Sequence, residues 1–144
     1  MRVTPVSPVY PMPKFNRHRE QAVYTPKPKE KIVQYITHNQ DDLIRSSGTC
    51  LQGCITDTSY ITLVSTFGEP MKDGFDNYKS DAEWLVQFDD GTVATIYNWK
   101  NGKNYCGDEG TPTTQIRDWH IGGYEGDAVD RVKQALRSIC KEVA

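Results

Sequence analysis

Residues 80–100 contain two runs of strand-forming residues, one on each side of a turn signal, and successive side chains of each run fall on opposite faces. Runs rich in β-branched and aromatic residues flank Asp90-Gly91, a dipeptide typical of two-residue type I′ hairpin turns. Pairing outward from this turn places Phe88 opposite Val93. The same register puts three further pairs on that face: Val86 with Thr95, Trp84 with Tyr97, and Ala82 with Trp99. The pattern therefore predicts a central β-hairpin that is largely apolar on both faces through its middle.

Shorter patterns on either side of the hairpin predict two strands and two helices. Residues 49–56 and 119–121 are typical of short strands, and Gly53 in the first is the expected position of a bulge or of a close approach by another segment. Apolar stripes predict one helix from 58 or 59 to about 67 and another from about 127 to 143. The order strand, helix, hairpin, strand, helix predicts an α+β domain. Its small, mostly antiparallel sheet is built on the central hairpin and packed by two helices on one face.

The first 30 residues are rich in proline and in basic side chains, and they precede the predicted domain of residues 31–144. Proline at this density disfavours a helix or a central strand, so residues 1–30 are predicted to form an extended Pro-rich arm. Such an arm becomes ordered only by packing on something else, and a neighbouring subunit is our first expectation. We therefore predict a homo-oligomer, either a dimer or a tetramer. Residues 31–45, at the start of the domain, fit a strand and a helix equally well.

Composition narrows the class of protein. The chain has 144 residues, 37% of them hydrophobic, and a formal net charge of −2. This balance does not favour binding to duplex nucleic acid, which normally requires a basic excess. No apolar run approaches the roughly 18 residues that span a bilayer, and the N-terminus lacks the apolar segment of a signal peptide. We expect a cytoplasmic protein without membrane contact, whose four cysteines are reduced thiols.

The sequence contains no motif of a P-loop nucleotide hydrolase, a serine hydrolase or a zinc protease. Cys50, Cys54, Cys106 and His120 are ligand types that zinc prefers. Buried structural thiols explain scattered cysteines more simply. We therefore expect no catalytic residues, no metal site and no cofactor.

Aromatic and cationic side chains near the open end of the hairpin are more informative. Aromatic rings stack on nucleobases, while lysines and exposed backbone N–H groups hold phosphate. Glycines in residues 101–118 allow the backbone to approach a ligand closely. The predicted ligand-binding residues are Lys79, Tyr97, Trp99, Lys100, Tyr105, Trp119 and His120. Core packing is the alternative role for Trp99 and Trp119, and the sequence leaves both roles open.

Six sequence blocks between about Gly48 and Leu136 form a pattern: GTCLQG, YITLVSTFGEP, DNYKSDAEW, FDDGTVATIYNWK, WHIGG and AV. Within it, DGTVATIYNWK together with WHIGG is the specific signature. In these blocks the chain resembles the phage-encoded sponges that sequester cyclic-nucleotide immune signals, namely the anti-CBASS sponges of the fourth type and their relatives. The resemblance implies an oligomeric, non-enzymatic phage protein in the cytoplasm of an infected bacterial host. It also implies that the protein binds a cyclic dinucleotide or cyclic oligonucleotide tightly without cleaving it.

Two other functions stay open at the level of sequence. In the first, the chain is a virion or host-takeover structural or interaction protein with no small-molecule ligand, and the hairpin aromatics are core residues. In the second, it is a metal-dependent nucleotide hydrolase that uses Glu83, Asp89 and His120. The positions of these side chains in the fold distinguish the alternatives.

Overall fold

Five antiparallel strands form a single sheet in the computed structural model, which describes residues 33–143. The strands are β1 (Tyr35–Thr37), β2 (Cys50–Ile55), β3 (Glu83–Phe88), β4 (Val93–Tyr97) and β5 (Trp119–Gly123). Their order across the sheet is β1-β3-β4-β5-β2. The predicted α+β fold, built on the β3–β4 hairpin, is confirmed. The predicted Pro-rich arm, residues 1–30, lies outside the described residues.

Three α-helices occur in residues 33–143: α1 (Tyr60–Phe67), α2 (Lys103–Cys106) and α3 (Asp127–Val143). Helix α1 begins where the Ser59 hydroxyl accepts a hydrogen bond from the backbone N–H of Thr62 at 3.1 Å. It ends at Gly68, whose φ of 83° is a conformation that glycine adopts readily. None of the helices in this part of the chain is long and apolar enough to cross a lipid bilayer.

Helices α1 and α3 pack on the same face of the sheet and enclose the hydrophobic core. At its centre Trp84 and Trp119 meet edge to face, with ring centroids 5.5 Å apart. Within residues 33–138, the hydrophobic side chains with no exposed surface are Leu63, Trp84, Val86, Ala94, Ile96, Trp119, Ile121, Ala128 and Val132. Because both helices cover this one face, the opposite face of the sheet depends on other segments for its cover.

The segment of residues 38–49 connects the two edge strands, and it lies over part of the second face, since several of its residues line a cleft together with Leu85. Leu85 points to this face but is only 3% exposed, and it lines a cleft of about 800 Å³ together with residues of the segment. The Asn39 carboxamide oxygen accepts a hydrogen bond from the Leu85 N–H at 2.8 Å. The Tyr124 hydroxyl donates to the Ser47 carbonyl at 2.9 Å. The second face is thus covered toward the hairpin turn.

The hairpin turn differs from the predicted one by one residue. Strand β3 pairs Gln87 with Val93, not Phe88 with Val93. The Gly91 N–H donates to the Phe88 carbonyl at 2.9 Å, and the Phe88 N–H donates to the Thr92 carbonyl at 2.8 Å. These two bonds enclose a three-residue loop, in which a type I turn is followed by a glycine with positive φ. The predicted two-residue turn and its register are therefore wrong.

The backbone angles give the physical reason. A type I′ turn needs positive φ at both central residues, and of Asp90 and Gly91 only Gly91 has it, at 90°. A shift of one residue moves every side chain of one strand to the other face relative to its partner. Tyr97 therefore pairs with Glu83 rather than with Trp84, and it faces away from the core.

Gly91→Ala should lower the free energy of unfolding by about 1 kcal/mol, because an alanine is strained at a φ of 90°. No other side chain lies within 4 Å of the added methyl group, so the loss comes from the backbone alone. Gly91→Asn is the matched control, and its loss should be smaller because asparagine tolerates positive φ. Urea denaturation measures both. Equal stability of all three proteins would contradict the turn geometry.

Candidate functional site

Aromatic and cationic side chains gather at the end of the hairpin opposite the Gly91 turn. The members of this aromatic–cationic cluster are Lys79, Tyr97, Trp99, Lys100, Tyr105 and His120. Tyr97 contacts Trp99 edge to face, with ring centroids 5.9 Å apart. It contacts His120 in the same manner at 5.5 Å. Tyr97 thereby connects the rings into one continuous surface across β4 and β5.

Two lysine ammonium groups lie beside the Trp99 ring. Lys79 Nζ is 5.3 Å from the ring centroid, and Lys100 Nζ is 5.7 Å from it. Lys100 Nζ is also 5.5 Å from the centroid of Tyr105, whose ring contacts Tyr78 at 5.2 Å. Cation–π contacts at exposed sites contribute only about 0.5–1 kcal/mol. The Lys100 ammonium group is thus held near the rings and remains available to an anion, whereas Lys79 Nζ also pairs with Asp76 Oδ2 at 3.7 Å.

The cluster is accessible from solvent. Trp99, Tyr97 and His120 are partly buried, Lys100 is exposed, and Tyr105 is 40% exposed. A ligand can therefore reach ring faces and ammonium groups without rearrangement of the core.

The backbone of Lys100 is in an unusual conformation. Its φ of 60° lies in the left-handed region, where a residue other than glycine is disfavoured by roughly 1–2 kcal/mol. Its N–H donates to the Lys79 carbonyl at 2.7 Å, which joins the two segments that bear the lysines. A glycine would adopt this φ with less strain. The strained lysine is therefore better explained by the position of its ammonium group than by stability.

The fully buried side chain of Asn98 holds these two segments together. Its Oδ1 accepts hydrogen bonds from the backbone N–H groups of Asp81 and Ala82 at 2.8 and 3.1 Å. Its Nδ2 donates to Asp81 Oδ1 at 2.9 Å and to Asn101 Oδ1 at 3.0 Å. All four hydrogen-bonding positions of the carboxamide are used. Lys79 and Lys100 each lie within two residues of an anchor, a residue that is hydrogen-bonded to the Asn98 side chain. These hydrogen bonds therefore fix where the two lysine side chains leave the backbone.

Asp81 extends the network into residues 101–118, which contain α2 and two 3-10 turns rather than only a loop. Its Oδ2 accepts a hydrogen bond from the Asn104 N–H at 3.1 Å. The Asn104 side chain donates to two backbone carbonyls of residues 77–80, at 2.8 and 3.0 Å. Gly102 packs so tightly on Asp81 that a Cβ there would overlap the carboxylate. These contacts hold the segment that bears Tyr105 against the hairpin.

A row of ionisable side chains crosses the second face of the sheet at the level of the cluster. Glu83 lies opposite Tyr97, and Tyr97 lies opposite His120. Cys54 continues the row beside His120. Burial, followed by the nearby charge of Asp76, raises the pKa of Glu83 to about 7. Burial also raises the pKa of Tyr97 and lowers the pKa of His120. At neutral pH, Glu83 therefore exists in both its protonated and its ionised form.

Trp119 does not join the other predicted ligand-binding residues. It is fully buried in the core, where its indole N–H donates to the Thr58 carbonyl at 2.8 Å. Successive side chains of a strand point to opposite faces, so only the neighbouring His120 reaches the cluster. The structure brings the other six predicted residues together and assigns Trp119 to the core, the alternative role that the sequence left open.

Neither of the candidate metal sets comes together. Cys106 lies on α2, where its thiol donates to the Lys100 carbonyl at 3.3 Å. Asp89 follows the last residue of β3, at the opposite end of that strand from Glu83. Within residues 33–143, no three His, Cys, Asp or Glu side chains are grouped so that they can hold a metal ion.

Sequence analysis missed two side chains beside the cluster, Glu83 and Tyr78. The predicted register puts Glu83 and Tyr97 on different faces of the hairpin, so the sequence indicates Glu83 only as a candidate metal ligand. The number of residues in the hairpin loop sets the strand register, and the register determines the face of the sheet on which Glu83 lies. Tyr78 is adjacent to Lys79 in the chain, so the signal for including it was present in the sequence.

Comparisons of the chain with protein-family models, with curated proteins and with solved structures found no match. The geometry of the cluster is therefore the structural observation that supports a function. It combines ring surfaces of the kind that stack on bases with cations of the kind that hold phosphates.

Trp119→Ala should lower the free energy of unfolding by about 3–5 kcal/mol, because it leaves a cavity at the centre of the core. Trp99→Ala is the matched comparison, and its loss should be smaller, about 1 kcal/mol, because Trp99 is only partly buried and lies outside the core. Chemical denaturation followed by circular dichroism measures both losses. Similar losses for the two variants would show that Trp99 is a core residue and that the cluster is not a binding surface.

Proposed function

We propose that this protein binds a cyclic dinucleotide or cyclic oligonucleotide immune signal on the aromatic–cationic cluster. It sequesters the signal without cleaving it, in the cytoplasm of an infected bacterial host, and thereby blocks anti-phage defence. The observation that supports this function best is the placement of the Lys79 and Lys100 ammonium groups 5.3 and 5.7 Å from the Trp99 ring. The resemblance of the DGTVATIYNWK and WHIGG blocks to the phage sponges points to the same function.

The chemistry of the cluster matches the parts of such a ligand. A base that stacks on an aromatic ring gains roughly 1–3 kcal/mol, whatever its identity. Lysine ammonium groups bind phosphate as point charges. A cyclic dinucleotide has two phosphates close to two bases, and the cluster offers two lysines close to several rings. Sequestration needs tight binding and no group that reacts with the ligand.

A second subunit completes the site in this proposal. Tight small-molecule sites bury most of the ligand surface, whereas the cluster of one chain is open to solvent. Another copy of the chain supplies the opposite wall, so the protein acts as a homo-oligomer, a dimer or a tetramer. The same arrangement gives the Pro-rich arm a neighbour to pack on.

A second candidate function is a structural or interaction protein of the virion or of host takeover, without a small ligand. Exposed apolar side chains favour this candidate: Leu43 is 77%, Ile61 65% and Ile36 64% exposed. Single exposed apolar residues are common on monomeric proteins, so this observation is weaker than the geometry of the cluster.

Ligand binding is tested with a thermal-shift panel of cyclic di- and trinucleotides on the full chain, followed by mass analysis of the recovered ligand. At least one cyclic nucleotide should raise the melting temperature and be recovered intact. Lys100→Gly should remove most of this shift. Glycine adopts the φ of 60° without strain, so the variant loses the ammonium group while the fold is kept.

Lys133→Ala is the charge-matched control, because Lys133 is an exposed lysine on α3, a helix that packs on the other face of the sheet from the cluster. A cyclic nucleotide should raise the melting temperature of this variant by as much as it raises that of the unmodified protein. A panel without any shift would support the interaction protein, and recovery of cleaved nucleotide would support a hydrolase. Equal shifts for Lys100→Gly and the unmodified protein would remove the cluster from the site.

A further inference from the structure

Glu83 is the one carboxyl group in the row that crosses the cluster. It lies opposite Tyr97, on the face of the sheet that the cluster occupies, and it is partly buried. Within residues 33–143 no group donates a hydrogen bond to its side chain. Partial burial of a carboxylate raises the free energy of its ionised form, because it removes part of the surrounding water and no protein donor takes that water's place. The site therefore provides an unused hydrogen-bond acceptor beside the stacking surface.

The charged and titratable groups around Glu83 do not neutralise it. Asp76 adds negative charge, and its own oxygens are used: Oδ1 accepts from two backbone N–H groups at 3.2 Å, and Oδ2 pairs with Lys79 Nζ at 3.7 Å. Tyr97 and His120, on the adjacent strands, have pKa values that keep them largely uncharged at pH 7. A ligand that donates hydrogen bonds would thus stabilise the ionised form of Glu83.

Among the bases, guanine presents two neighbouring donors, N1–H and the N2 amino group, along one edge. An ionised carboxylate accepts both in a parallel, charge-assisted pair. Adenine presents one donor and one acceptor on the corresponding edge, so it matches only a protonated carboxyl group and forms neutral hydrogen bonds. Charge-assisted hydrogen bonds are roughly twice as strong as neutral ones. The carboxyl group therefore favours guanine over adenine.

We propose that Glu83 reads the base edge of a nucleotide stacked on the aromatic–cationic cluster and selects guanine. This inference rests on the proposed function, since it concerns the same site. It makes the protein a receptor for guanine-containing cyclic nucleotides, in which Lys79 and Lys100 hold phosphate and Glu83 holds the base.

The inference fixes the sign of a pH effect. Because the pKa of Glu83 in the free protein is about 7, the group is largely protonated below that pH and must lose its proton to accept both guanine donors. Guanine affinity should rise as the pH increases from about 5.5 to 8 and then level off. Well below the pKa, the loss approaches about tenfold per pH unit for a single required ionisation.

The test is calorimetric titration of the full chain with cyclic di-GMP and with cyclic di-AMP. The unmodified protein should bind cyclic di-GMP about 10- to 100-fold more tightly, the discrimination expected of one good pair of base contacts. Glu83→Gln should reverse this preference, because a glutamine side chain offers one donor and one acceptor and so matches adenine. Glu125→Gln, at an exposed position outside the cluster, should leave the preference unchanged.

Each remaining outcome overturns the inference in a distinguishable way. If both nucleotides bind the unmodified protein equally, or if Glu83→Gln keeps the guanine preference, the role of Glu83 fails and the proposed function survives. If no cyclic nucleotide binds, both fail together. If Glu83→Gln does not fold, the pH series on the unmodified protein decides, and a guanine affinity that stays flat from pH 5.5 to 8 overturns the inference.

Discussion

The buried carboxamide of Asn98 is the contact on which the open end of the sheet depends. Its four hydrogen bonds tie the entry of β3, at Asp81 and Ala82, to the segment that follows β4, at Asn101. A buried donor left without its acceptor costs about 1–3 kcal/mol, so these bonds define one arrangement of the two segments. Lys79, Trp99 and Lys100 of the cluster lie within two residues of these anchors in the chain. A polar contact inside the fold thus determines the geometry of a surface outside it.

Most of the secondary structure follows from signals within a few residues. Ser59 and Gly68 mark both ends of α1, and the bulge in β2 between Leu51 and Gly53 falls where an isolated glycine suggested it. The hairpin was predictable, whereas its register was not, because the DDG sequence also fits a three-residue loop. The strand order was not predictable either, since it depends on contacts such as that of Asn39 with Leu85, far apart in the chain.

The candidate site was predictable in its residue types and only partly in its geometry. Aromatic residues and lysines that alternate toward a glycine-rich segment indicated Tyr97, Trp99 and Lys100. Trp119 has the same chemistry as Trp99 but faces the core. Only the strand pairing shows that Trp119 is a core residue and that Trp99 belongs to the surface cluster. The position of Glu83 beside the cluster can be recognised only when the correct register of the hairpin is known. The Asn98–Asp81 contact joins residues 17 positions apart, beyond the reach of local patterns.

The central claim is that a nucleotide stacks on Trp99. The chain has three tryptophans, of which Trp84 and Trp119 are fully buried, so Trp99 is the one that a ligand can reach. Intrinsic fluorescence during titration with a cyclic nucleotide tests the claim directly. Emission should be quenched in the unmodified protein and should stay constant in Trp99→Phe. Emission that stays constant in the unmodified protein at nucleotide concentrations that stabilise it, or equal quenching in Trp99→Phe, would contradict the claim.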